Sequence, residues 1–167
     1  MTTTLELLRE AGACDDALCW AEDYPDPQSA WDACTDGHWM AWCLGRLAEM
    51  AGDGSPEHRR AVLVACRCAR TDPRLSEPGA HALDLIEAWA LGGEDRRGEA
   101  FTIAVNADDA AESAAVAALR VRNNANNCHN AASETADWAS DAEAHLRALA
   151  DLIRATVPVV PLPGGAP

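Results

Sequence analysis

The stretch DGHWMAWCLGRLAEMAGDGSPE, residues 36–57, carries the signals that set the fold. Asp36 is placed to cap a helix whose apolar residues recur at helical spacing. Trp39, Cys43, Leu47 and Met50 follow i, i+4, i+8 and i+11, and Trp42 and Leu44 widen the stripe. Gly52-Asp53-Gly54 then breaks the chain. Ser55, Pro56 and Glu57 open the next helix as N-cap, first-turn proline and dipole-compatible acid. A bulky apolar helix, a sharp break and a second strong helix start predict an all-α chain built from packed helices.

The same reading extends in both directions. Towards the N-terminus, Thr3 or Thr4 caps a helix to about Ala11, stopped by Gly12. Asp15 to Asp23 predicts a second short helix with an acidic start. Tyr24-Pro25-Asp26-Pro27 forces a break, and Pro27 precedes a third helix over residues 28–34. Thr35-Asp36-Gly37 reads as a turn before the fourth, over residues 38–50.

Towards the C-terminus, helix five runs to about Arg70 with Val62, Ala65, Cys66 and Ala69 inward and Arg59, Arg60, Arg67 and Arg70 on the other side. Helix six carries Ala82, Leu85, Ile86 and Trp89 on one stripe and ends at Gly92-Gly93. Residues 100–122 are dominated by Ala, the best helix former, which lets helices approach closely. Asn-rich residues 123–130 interrupt them. A last helix is expected over residues 133–156, with Trp138, Leu146, Leu149 and Ile153 buried, and Pro158 stopping it. The expected architecture is an irregular bundle of seven to eight helices. It forms one domain over residues 1–157, followed by a flexible Pro/Gly-rich tail over 158–167.

Charge narrows the function. The net charge is −14, and every cation is Arg, with no Lys. Residues 1–54 hold 11 acids and 2 Arg (−9), whereas residues 55–98 hold 7 of each. So acidic a surface repels nucleic acid and favours a protein partner with a basic site. No run approaches the ~18 apolar residues of a membrane span. Seven Cys with no signal-like N-terminus imply free thiols in a cytoplasmic setting.

Sites of chemistry are sparse. Cys66 and Cys68 point about 200° apart on a helix, so they do not share one metal ion. No Cys stands in a setting that lowers its pKa, and no phosphate-binding glycine motif is present. The expectation is therefore no catalytic residue, no metal and no cofactor. Two candidate binding regions remain. One is an acidic face of Asp15, Asp16, Glu22, Asp23, Asp26, Asp32 and Asp36 with Trp31 or Trp42 as aromatic anchor. The other is a polar loop containing Asn123, Asn126, Asn127 and His129, suited to a small ligand.

Most of residues 5–157 resembles a family of bacterial and phage-encoded helical proteins, the Imm-5-like immunity proteins. The carrying residues are Ala30-Trp31-Asp32-Ala33-Cys34, Asp36 to Trp42, Leu44-Gly45-Arg46-Leu47, the Ser55-Pro56-Glu57 helix start, Ala65-Cys66-Arg67-Cys68-Ala69 and Ala150-Asp151-Leu152-Ile153-Arg154. The Ala-rich second half fits as well, while the Asn-rich run departs from the pattern. The resemblance implies an inhibitor that neutralises a toxin by direct binding. A phage counter-defence protein that imitates nucleic acid with its acidic surface is the second reading, and a small-molecule binder the third.

Overall fold

The computed structural model describes residues 3–106 and 141–159. Among them the chain forms eight helices and no strand. They are α1 (Thr4–Ala11), α2 (Asp15–Ala21), α3 (Pro27–Ala33), α4 (Gly37–Ala51), α5 (Pro56–Ala69), α6 (Glu77–Ala90), α7 (Arg97–Asn106) and α8 (Ala142–Thr156).

Side-chain caps start six of these helices, where the sequence places small polar or acidic residues, whereas Cys14, at the N-cap of α2, gives no side-chain cap. Thr3 and Glu6 form a reciprocal capping box: Thr3 N–H donates to Glu6 Oε2 at 2.8 Å and Glu6 N–H to Thr3 Oγ1 at 3.3 Å. Asp26 accepts from Ser29 N, Asp36 from Trp39 N, Ser55 from His58 N and Ser76 from Gly79 N. Asp141 opens α8 in the same way, accepting from Ala144 N. Asp141 itself is extended, so the helix expected to run unbroken from residue 133 begins at Ala142.

Helix α5 sits at the centre. It packs on α4, α6 and α8, and α6 in turn packs on α7. Enclosure on several sides explains why Ala61, Val62, Val64, Ala65, Cys66, Cys68 and Ala69 are all buried, a wider set than one stripe supplies. Its arginines reach sideways to tie neighbours down. Arg67 donates to Thr156 Oγ1 of α8, and Arg70 pairs with Asp84 and Glu87 of α6.

Gly37 is the first residue of α4 rather than part of a turn, and it is buried against α8. A Cβ there would lie 2.6 Å from Leu149 Cβ and 2.8 Å from Leu146 O. The missing side chain is what allows the two helices to touch. Ala41, Leu44, Gly45 and Ala48 continue the same buried face.

Candidate functional site

Helix α4 has a second apolar face. The stripe of Trp39, Cys43, Leu47 and Met50, expected in the core, lines a cavity of about 410 Å³ together with Trp42 and Arg46. Met50 is 61% exposed at its edge. Helix α1 contributes Thr4, Leu7, Leu8 and Ala11 to the walls, α2 contributes Ala17 and Trp20, and α3 contributes Pro27, Ala30 and Trp31. A helix with apolar bulk all round offers two stripes, and packing chooses which one meets a close neighbour. Here the small-residue stripe of α4 takes the tight contact, and the bulky one faces the open space.

The cavity is aromatic and largely apolar. Trp20 stacks obliquely on Tyr24, with ring centroids 4.6 Å apart, and meets Trp39 edge-on at 6.0 Å. Arg46 is the guanidinium on its wall. It is committed elsewhere: Nε donates to Ala11 O at the end of α1 at 2.9 Å, and its charge pairs with Glu49. The Thr4 hydroxyl is buried beside the cavity with no hydrogen-bond partner, a loss worth about 1–3 kcal/mol for such a group.

The acidic residues expected to form a binding face fall into two groups. Asp15, Asp16, Glu22, Asp23 and Asp32 are exposed on or beside α2 and α3. No arginine among the described residues pairs with any of them, while Asp53, Asp72, Asp84, Glu87, Asp95, Glu99, Glu143 and Asp151 all have arginine partners. Asp26 and Asp36 have structural employment as N-caps. Backbone hydrogen bonds from the α3 start, chiefly at Ser29, hold the exposed Asp26 carboxyl below its usual pKa. Asp32 accepts from Gln28 Nε2 at 2.8 Å along the same helix.

Trp31 does not serve as a surface anchor. It is buried, and its indole N–H donates to Val157 O at 3.0 Å. Arg154 of α8 completes this junction by donating to the carbonyls of Trp31 and Cys34 at the end of α3. Trp42 is half-buried on the cavity wall. The loop residues Asn123, Asn126, Asn127 and His129, and Trp138, lie outside the described residues.

The described cysteines are all free thiols. Burial pushes the Cys43 and Cys68 thiols up to about 12 and raises Cys66 further. Such thiols stay protonated at neutral pH and make poor nucleophiles. Among the described residues no three His, Cys, Asp or Glu side chains converge as metal ligands. No described helix is long and apolar enough to cross a membrane.

One cluster has no local sequence signature. The Arg97 and Arg59 guanidinium carbons lie 3.9 and 4.7 Å from the Trp89 ring centroid, and the His58 ring meets it edge-on at 5.7 Å. Arg97 is also paired with Asp95 and Asp53. Gly54 N–H donates to His58 Nδ1 at 2.8 Å, and Asp53 Oδ1 lies 3.0 Å from the same ring nitrogen. These contacts bind the α4–α5 loop to α6 and the start of α7. They belong to the scaffold.

No protein-family model, curated protein or solved structure matches this chain.

Proposed function

We propose that this chain is a non-catalytic binding protein of the immunity type, which neutralises one protein partner through the acidic face of its first third. The observation that carries the reading is the set of exposed carboxylates at Asp15, Asp16, Glu22, Asp23 and Asp32, unpaired with any described arginine, whereas most of the other described acids have an arginine partner. Unneutralised acids on and beside short helices keep a negative field without collapsing onto their own surface. Such a field speeds encounter with a basic partner and fixes its orientation. Trp42, at the cavity wall, is the aromatic side chain left to anchor the contact. The raised thiol pKa values of Cys43, Cys66 and Cys68 support a role without nucleophilic chemistry.

The test is capture of the partner by the tagged full chain from lysate, with mass spectrometry at low and high salt. The reading expects one basic protein, held at low salt and weakened at high salt. Retention that is indifferent to salt contradicts it. Adding duplex DNA as competitor identifies the variant of this reading in which the acids imitate nucleic acid: DNA then displaces the chain from its partner.

A further inference from the structure

We propose that the cavity between α1, α2, α3 and α4 is a small-molecule site for a lipophilic organic cation. Its volume, about 410 Å³, falls in the ordinary range of ligand pockets, roughly 300–1,000 Å³. Trp20, Trp31, Trp39 and Trp42 all stand on its walls. Indole faces are electron-rich and attract weakly hydrated cations, which also lose little on leaving water.

The charge around the walls points the same way. Glu10 lines the cavity, Asp15 and Asp16 directly follow the wall residue Cys14, and Asp26 directly precedes the wall residue Pro27. The cation on the wall, Arg46, is paired with Glu49, so it neither repels a bound cation strongly nor serves as an anchor for an anion. The Thr4 hydroxyl, buried and unpartnered at the wall, supplies the kind of polar contact that apolar pockets use to orient a ligand. The site borders the acidic docking face and has Trp42 on its wall, but it is a cavity for a small ion and needs no protein partner.

Two ions of the same shape and opposite charge test the inference directly. Tetraphenylphosphonium titrated into the full chain should quench tryptophan fluorescence saturably with one-to-one stoichiometry by calorimetry. Tetraphenylborate should bind at least about tenfold more weakly, a difference of about 1.4 kcal/mol. Filling the cavity by Cys43→Phe, or by Ala13→Phe on its more exposed wall, should abolish the phosphonium signal in protein that still melts cooperatively. No saturable phosphonium binding, equal binding of both ions, or undiminished binding in a folded filled variant would each overturn it. The folded filled variant should still capture the protein partner. Loss of phosphonium binding with capture intact separates this site from the docking face.

Discussion

The indole N–H of Trp31 reaches the carbonyl of Val157 at 3.0 Å across 126 residues of chain, tying α3 to the end of α8. The contact explains why an aromatic beside acids and a turn is buried: its partner comes from the far end of the sequence. Trp31→Phe keeps most of the apolar volume and removes the donor, leaving a buried carbonyl unsatisfied. The expected cost is about 1–2 kcal/mol, read as a lower urea midpoint with unchanged slope. Partner capture, corrected for folded fraction, should not change.

Gly37 faces Leu149 at a distance no Cβ tolerates. Gly37→Ala should therefore destabilise by about 1–3 kcal/mol, despite the better helix propensity of Ala. Equilibrium denaturation checks it, and a neutral or stabilising outcome would mean that α8 is free to move away.

Thr4 makes the opposite case. Thr4→Val keeps the shape and removes a buried hydroxyl without a partner. The thermal midpoint should stay level or rise, with a gain of up to about 1 kcal/mol. A clear loss would show that the hydroxyl is satisfied in solution.

Asp72 is buried, with its carboxylate held by Arg74 at 2.6 and 2.9 Å. Burial alone raises its pKa, but the Arg74 hydrogen bonds outweigh this and hold it below the ordinary aspartate value of 3.8. A depressed folded pKa contributes stability that is present above the unfolded value and lost as pH falls through the folded one. Asp72→Asn should cost about 1–3 kcal/mol at neutral pH. The variant should also lose less stability than the parent as pH falls from about 5 to 3, followed by urea midpoints across that range.

Much of the fold is legible in the residues. Ser55-Pro56-Glu57 after Gly52-Asp53-Gly54 marks the start of α5, and Asp36 caps α4, because caps and breaks are local chemistry. What escapes is the choice between two apolar stripes on α4. Trp39, Cys43, Leu47 and Met50 have the larger side chains and read as core, yet Gly37, Ala41, Gly45 and Ala48 are the ones that let helices close in. Periodicity gives a face, and the neighbour decides how deeply that face is buried. Trp89 between Arg59 and Arg97 is invisible for the same reason, since its partners come from two other helices, α5 and α7. The acids of the first third are plain in the sequence. That they lack described arginine partners, and that Asp26 and Asp36 are spent on helix caps, emerges only from the packing.

The reversal of charge on α2 and the turn after it reads the acidic face most directly. The variant carries Asp15→Arg, Asp16→Arg, Glu22→Arg and Asp23→Arg, with helicity and melting checked against the parent, and its affinity for the captured partner is measured at low salt. Loss of roughly tenfold or more in affinity, mostly through slower association, is the result expected of a steered acidic interface. Unchanged affinity in the folded variant would contradict it and place the contact elsewhere on the molecule.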